Sequence, residues 1–397
     1  MTDQFADYTT LGVGGPIGRL ITVHEHAAAV AALRDAFTSR DPWMVLGGGS
    51  NLLVSDEGFD GTVIRLANRG IEVVESDAAT NEVIIRAEAG ENWDDLVAWT
   101  VAQGYAGLEA MSGIPGSVGA APVQNIGAYG QELSSVLRRV EVLVEGAEHP
   151  IWMSAADLEL GYRTSILKEG YVAVVLRVEI ALHDTAAERE VLGTALSAPI
   201  VYAQLAAALD VQLGDRAPLA HVRDQVRALR ASKGMLLDPA DPDSRSAGSF
   251  FTNPIVTEHF ARTLPSDAPR WPLTPDEPDE IVPLEIVGGI DGGSPLDAFL
   301  AHQAAMDASA PAPVATAAEP LVKLSAAWLI EHAGIRRGFA LPGSRAAISS
   351  KHTLALTNRG GATADEIAEL ARFVQTRVAS EFGIDLRPEP VLVGVGL

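Results

Sequence analysis

The sequence predicts an α+β fold built in several layers, and three observations favour it over an uninterrupted series of βαβ units. Apolar runs at 19–23 and 43–46 flank a helical pattern at 25–39, which is typical of strand, helix, strand. A glycine-rich turn then leads into β-branched residues and not into a second helix. Further strands without helices between them are predicted at 139–145, 149–153 and 171–182.

The remaining elements follow from the same periodicity along the chain. The stretches 71–75 and 82–88 indicate a hairpin, and 92–103 has helical spacing. An exposed insertion is expected around 273–320, because proline, alanine and acidic residues dominate that stretch. The other expected elements are helices from about 201, at 219–232 and at 363–382, with strands near 353–357 and at 391–395.

Composition narrows the class of protein. A length of 397 residues favours two or three domains, and the lack of cysteine excludes disulfides, thiolate catalysis and iron–sulfur clusters. A net charge of −23 argues against a nucleic-acid surface. No run approaches the roughly 18 apolar residues of a membrane span, and the start lacks a secretory signal pattern. We therefore expect a cytoplasmic protein that binds neither nucleic acid nor membrane.

Two glycine-rich segments are candidates for phosphate binding. The first, GGGSN at 47–51, joins strand to strand, whereas a Rossmann or P-loop turn must open a helix. The second, 109–132, has five glycines, two prolines and no charge between its terminal glutamates, which favours an ordered loop around a partly apolar ligand. A buried structural loop is the alternative. Together the segments could bring backbone amides to both phosphates of a dinucleotide.

Three further motifs could carry chemistry, and each has a structural alternative. Arg163 in GYRTS is either a fixed guanidinium near a developing anion or a salt-bridge residue. Ser249 in RSAGSFFTNP is either a hydroxyl in a dry pocket or a capping serine. Glu389 lies between two prolines as either a rigidly held acid or a turn carboxylate. The HEH at 24–26 lacks the spacing of H-E-x-x-H, so no catalytic metal is predicted.

Taken in order, the motifs resemble the UDP-N-acetylenolpyruvoylglucosamine reductase (MurB) family, type I branch. The resemblance runs from TTLGVGG through LGGGSN, GLEAMSGIPGSVGAAPVQNIGAYGQE, GYRTSILK and AGSFFTNP to LRPEPVLV. It implies a two-subdomain FAD-binding fold of the vanillyl-alcohol-oxidase/PCMH type, plus a C-terminal MurB substrate-binding domain. The implied domains are 1–70 with the strand 386–397, then 71–218, then 219–385.

The resemblance also implies a reaction. NADPH reduces non-covalent FAD, and the enolpyruvyl ether of UDP-N-acetylglucosamine then enters the same site. FAD N5 delivers hydride to C3 and Ser249 gives a proton to C2, which yields UDP-N-acetylmuramate for peptidoglycan. A monomer acting on these small molecules is expected. The alternatives are another flavin oxidase or dehydrogenase of the same fold, or a catalytically silent FAD-binding module, against which the intact Arg163, Ser249 and Glu389 argue.

Site residues follow from the same resemblance, by position in the motifs. Arg163, Ser249 and Glu389 are the implied catalytic residues. Trp271 stands where a tyrosine is expected, which loses a phenol hydroxyl but keeps stacking area. The implied substrate contacts are Tyr202, Lys233, Asn253, Trp271 and His352. The implied FAD contacts are Gly47, Gly48, Gly49, Ser50, Asn51, Ser112, Gly113, Ile114, Pro115, Gly116, Ser117, Gly119, Asn125, Gly127, Ala128, Tyr129, Gly130 and Arg163.

Overall fold

A computed structural model describes residues 2–273 and 319–397, and the labels below number the elements of those ranges. The predicted insertion around 273–320 lies almost wholly outside them. The described residues mix helices and strands, which confirms the predicted α+β class. No helix among them is long and apolar enough to cross a membrane.

The first sheet carries the first glycine segment at the end of a strand. Its three strands lie in the order β1–β4–β2 with parallel pairing, and helix α1 packs against them through Leu33 and Ala36. Residues 47–51 connect β2 to β3 with no helix between them, as predicted. The bounds are β1 (Ile17–Val23), α1 (His26–Thr38), β2 (Trp43–Leu46), β3 (Leu52–Val54) and β4 (Phe59–Leu66).

The second sheet is antiparallel and supports the second glycine segment. Its strands lie in the order β11–β10–β12–β6–β5, and helix α2 contributes Trp93, Leu96 and Val97 to the core. The bounds are β5 (Ile71–Asp77), β6 (Glu82–Glu88), α2 (Trp93–Gln103), β7 (Tyr105–Ala106, paired with β12), β10 (Leu137–Val144), β11 (Ile151–Ser154) and β12 (Ala173–Asp184).

The segment 109–132 is ordered, but it is not one irregular loop. Three single 3₁₀ turns cover Glu109–Met111, Val118–Ala120 and Pro122–Gln124. A short hairpin of β8 (Gly127–Ala128) and β9 (Gln131–Glu132) follows. Short turns of this kind need no apolar periodicity, so the sequence pattern could not reveal them.

The rest of the chain forms helices and short strands, and its last strand lies beside β3. Strand β18 pairs in parallel with β3, next to the first glycine segment. The chain divides into two compact units, Met1–Thr252 with Ala326–Leu397, and Asn253–Ser325. The bounds are α3 (Ala186–Leu192), α4 (Ala203–Leu209), α5 (Leu219–Ser232), β13 (Ile255–Thr257), α6 (Glu258–Ala261), β14 (Arg270–Leu273), β15 (Leu321–Leu324), α7 (Ala326–His332), β16 (Ala346–Ile348), β17 (Leu356–Asn358), α8 (Ala364–Phe382) and β18 (Val391–Val393).

Most predicted elements are present, and the errors are local. Helix α5 has the predicted bounds, whereas α3 and β16 were not predicted because both are short. The strand expected near 353–357 begins at Leu356, since Ser349 and Ala355 close a turn ahead of it.

Candidate active site

The two glycine segments face one cavity of about 370 Å³. The first segment follows β2 of the first sheet, and the second follows β7, which pairs with β12 of the second sheet. They meet at Ser50 and Pro115, which are 65 positions apart in the chain. The predicted FAD contacts that line the cavity are Gly47, Gly48, Gly49, Ser50, Asn51, Ile114, Pro115, Gly116, Ser117 and Gly119.

Glycine is required where the segments touch. A Cβ on Gly48 would lie 2.6 Å from Gly116 Cα, and a Cβ on Gly47 would lie 2.5 Å from Ser117 Oγ. Gly49 has φ +61°, and a Cβ there would overlap the Tyr8 carbonyl oxygen. The Ser50 hydroxyl then donates to the Pro115 carbonyl at 2.9 Å and joins the two segments. The glycines therefore let two backbones pack directly together.

The first segment turns its carbonyls toward the protein. Gly49 O accepts from Thr10 N at 3.0 Å, and Asn51 O accepts from Val391 N at 3.0 Å. The backbone amides of residues 48–51 donate to no acceptor in the part of the chain that the structure describes. Consecutive unpaired amides lining a cavity form a binding site for an anion such as a phosphate.

Apart from Gln124 and Lys168, apolar side chains form the rest of the wall, and sequence reasoning missed all of these residues. Many of them lie on β2, β4, α2 and β12. The sequence could indicate only that such residues face inward from a strand or helix, which does not distinguish a cavity wall from a packed core. A flat apolar ring joined to phosphates matches this combination of surfaces. The lining residues not predicted include Trp43, Val45, Leu66, Trp93, Val123, Gln124, Ile126, Lys168, Val174, Val175 and Val391.

Arg163 lies beside this cavity in a fixed conformation. Its φ of +57° is unusual for a residue with a Cβ. The guanidinium donates to the Gly127 carbonyl at 2.9 Å and the Asn125 carbonyl at 3.4 Å, and its Nε lies 3.4 Å from Glu389 Oε1. Asn125 in turn donates to the Gly161 carbonyl at 3.1 Å. Asn125 and Gly127 hold the arginine and do not line the cavity.

Glu389 is a mostly buried carboxyl next to two cations. Burial raises its pKa above the ordinary value, against the opposing effect of the positive charges of Arg163 and Lys168. Its backbone is held on both sides: Glu389 N donates to Phe250 O at 2.9 Å, and Glu389 O accepts from Asn51 Nδ2 at 3.2 Å. Asn51 thus connects the glycine segment to this acid.

Ser249 lies near Glu389, because the residues that follow it pair with the Glu389 segment. Phe250 and Phe251 are fully buried, and Phe251 pairs with Pro388 in an isolated antiparallel bridge. Gly248 reverses the chain just before the serine with φ +74°. The Ser249 hydroxyl forms no hydrogen bond with any residue in the described ranges. The structure therefore places the three predicted catalytic residues on adjoining segments, with one of them bearing an unengaged hydroxyl.

Three of the predicted substrate contacts belong to one cluster. Lys233 Nζ donates to Gln204 Oε1 at 2.8 Å and lies 5.1 Å from the centre of the Tyr129 ring, which meets the Tyr202 ring edge-on. Burial, then the charge of Lys233, lowers the pKa of His352 to about 4. His352 Nδ1 accepts from Leu354 N at 3.2 Å, which suits a neutral imidazole with its proton on Nε2.

Other predicted residues have structural partners. Tyr129 was predicted as an FAD contact but packs with Tyr202 and Lys233. Ser112 donates to the Glu109 carbonyl, and Gly113 N donates to Asp94. Ala128 lies on β8, paired with Gln131, and Gly130 lies in the turn that leads to β9. None of these lines the cavity.

Asn253 and Trp271 belong to the unit Asn253–Ser325, which is described by itself. Trp271 lies on β14 opposite Lys323 on β15, and 46% of its surface is exposed. Their assignment to the substrate stays a prediction.

Comparison with known proteins defines the class first. Residues 18–149 match the model of an FAD binding domain, and residues 239–393 match the C-terminal domain of UDP-N-acetylenolpyruvoylglucosamine reductase. Together with the amide-lined cavity, these matches define an FAD-dependent oxidoreductase.

The full-length comparisons define the family. A UDP-N-acetylenolpyruvoylglucosamine reductase of Leifsonia xyli is 55% identical over 100% of both chains, and one of Thermobifida fusca is 46% identical over 99% and 97%. The crystal structure of the Thermus caldophilus reductase matches with a TM-score of 0.58 and 26% identity, over 99% and 98% of the chains. The chain belongs to the UDP-N-acetylenolpyruvoylglucosamine reductase family.

Proposed function

We propose that the chain reduces the enolpyruvyl group of UDP-N-acetylglucosamine enolpyruvate to UDP-N-acetylmuramate, a peptidoglycan precursor, with NADPH as the electron source. The observation that carries this proposal is the meeting of Arg163, Glu389 and the Ser249 segment beside the cavity lined by the glycine amides. An FAD-binding module without catalytic activity would not need Arg163, Glu389 and Ser249 close together. The same three residues argue against an unrelated flavin oxidase.

The chain's own residues provide placement for the cofactor. The amides of residues 48–51 would hold the FAD diphosphate, and the walls of Trp43, Trp93 and Val175 would enclose apolar parts of the cofactor. When bound, FAD supplies hydride transfer from NADPH to the methylene carbon C3 of the substrate. These walls also exclude water from the reacting groups.

Three side chains are proposed to stabilise and protonate the substrate after hydride transfer. Hydride addition at C3 leaves an electron pair at C2, delocalised into the substrate carboxylate. The fixed guanidinium of Arg163 stabilises that negative charge, and protonated Glu389 donates a hydrogen bond to it. Ser249 gives its hydroxyl proton to C2, which completes addition of one hydride and one proton. A hydroxyl is acidic enough only toward such a strong base, and burial of Phe250 and Phe251 keeps its surroundings dry.

Substrate recognition is assigned to the neighbouring cluster. Lys233 would pair with the diphosphate of the UDP-sugar, and Tyr202, 43% exposed, would cover it. His352, kept neutral, would donate from Nε2. Asn253 and Trp271 complete the proposed set. We also propose the domain division 1–70 with 386–397, 71–218 and 219–385, a monomeric state and a cytoplasmic location.

The first test is spectroscopic. Purified protein should be yellow or become so with FAD, and anaerobic NADPH should bleach the flavin absorbance. A protein that takes up no FAD contradicts the proposal, and reduced protein that reacts rapidly with oxygen but not with the UDP-sugar supports an oxidase.

Glu389 gives a prediction on pH. Its raised pKa keeps the protonated, donating form present to higher pH, so reoxidation by substrate should slow as pH rises through that pKa. Glu389→Gln cannot ionise and keeps an N–H donor, so it should lose this basic limb while its rate falls roughly tenfold to a hundredfold. Stopped-flow reoxidation across pH measures both.

The matched control is the exposed Glu57, because Glu57→Gln removes an acid without touching the cavity. Its pH profile should equal that of the unmodified protein. A basic limb that persists unchanged in Glu389→Gln would show that another group titrates.

A further inference from the structure

The cavity has one charged side chain among the described residues that line it. That side chain is Lys168; every other lining residue is apolar, glycine or neutral and polar. No carboxylate of the lining set offsets its charge. A cation in a wall of this kind acts on the charge of whatever occupies the cavity.

Lys168 lines the cavity and is hydrogen-bonded to the segment that carries Arg163. Its Nζ donates to the Arg163 carbonyl at 3.0 Å, and its backbone N donates to Ser165 Oγ at 3.3 Å. Ser165 Oγ in turn donates to the Val123 carbonyl at 2.6 Å, and Val123 also lines the cavity. The ammonium has three donors, so one bond to Arg163 leaves two for a ligand.

Arg163 is the less suitable cation for the same purpose. Its guanidinium is engaged with the carbonyls of Asn125 and Gly127 and with the Glu389 carboxyl, and it does not line the cavity. Both cations therefore act on Glu389, but of the two only Lys168 lines the cavity.

We propose that Lys168 stabilises the negative charge that the flavin ring gains on reduction, and so raises the reduction potential of bound FAD. This rests on the FAD site proposed above, but not on the identity of the UDP-sugar. Arg163 then acts on the substrate side, and the two positive charges serve two successive anions.

The test is a redox titration of the FAD-loaded protein with a reference dye, without NADPH or UDP-sugar. Lys168→Gln removes the charge but keeps an N–H donor for the Arg163 carbonyl. Because Lys168 is exposed, solvent screens its charge, and the reduced-to-oxidised ratio should fall about tenfold, or ~30 mV for two electrons. Lys168→Arg, which keeps the charge, should stay close to the unmodified protein.

Arg262 supplies a matched control, because its side chain is 72% exposed and Arg262→Gln also removes one positive charge. Its potential should not change. If Lys168→Gln retains too little FAD, Lys168→Met measured at saturating FAD gives the same comparison. A potential unchanged in the neutral variant, with FAD bound, overturns the proposal even if turnover falls, since that pattern is expected of a residue that only positions Arg163.

The titration separates this proposal from the reductase assignment. Protein that binds FAD and shows the lowered potential in Lys168→Gln, yet never reduces the UDP-sugar, supports Lys168 and refutes the reaction. An unmodified chain that binds no FAD overturns both.

Discussion

Replacing Ser249 by alanine should leave reduction of FAD by NADPH at its normal rate and slow reoxidation by the enolpyruvyl substrate by about 10²- to 10⁴-fold. The reason is that the hydroxyl is proposed to act only after hydride transfer, when a proton is needed at C2. The residue is flanked by Gly248 at φ +74° and by the buried Phe250, and its hydroxyl has no hydrogen bond to lose among the described residues. The loss should therefore be chemical and not a loss of folding.

Stopped-flow absorbance measures the two half-reactions separately. Ser76 is the matched control, since it lies exposed on β5 and Ser76→Ala removes a hydroxyl that does not line the cavity. Both half-reactions should be normal in that variant. Normal reoxidation in Ser249→Ala would refute the assignment of Ser249 as proton donor.

Replacing Gly48 by alanine should weaken FAD binding by about tenfold to a hundredfold. A Cβ at this position would lie 2.6 Å from Gly116 Cα, so one of the two segments must move. Overpacking of this kind costs about 1–3 kcal/mol, and here the strain falls on the amides proposed to hold the diphosphate. Fluorescence titration of the apoprotein with FAD measures the change.

Gly396 is the control for this substitution. A Cβ there meets no atom within 4 Å, and its backbone lies outside the left-handed region, so Gly396→Ala should bind FAD normally. Equal FAD affinity in Gly48→Ala and the unmodified protein would contradict the role given to the contact between the segments.

The first glycine segment shows how far local sequence rules reach. The absence of a following helix excluded a Rossmann turn, and the structure has β3 there. The same rules could not show that Gly48 meets Gly116, because that contact depends on two sheets whose relative placement no local pattern encodes. The glycines were predicted as a phosphate cradle; their packing against each other is what the structure adds.

The reacting residues show the limit of motif reasoning more sharply. Arg163, Ser249 and Glu389 could be named from three distant motifs. Only the fold shows that Glu389 N donates a hydrogen bond to Phe250 O, which brings the Ser249 segment to the acid. Lys168 ends the motif GYRTSILK, but a lysine five residues after an arginine has no local signature of a cavity wall, so the motif does not predict its position. The apolar wall residues were missed for the same reason.

The proposed reaction passes hydrogen from reduced FAD to an enolpyruvyl UDP-sugar. This claim is tested by anaerobic addition of UDP-N-acetylglucosamine enolpyruvate to protein already reduced with one equivalent of NADPH. The flavin absorbance should return, with one product molecule formed per FAD and a mass two hydrogens above that of the substrate. Flavin that stays reduced while the UDP-sugar is recovered unchanged would contradict the claim.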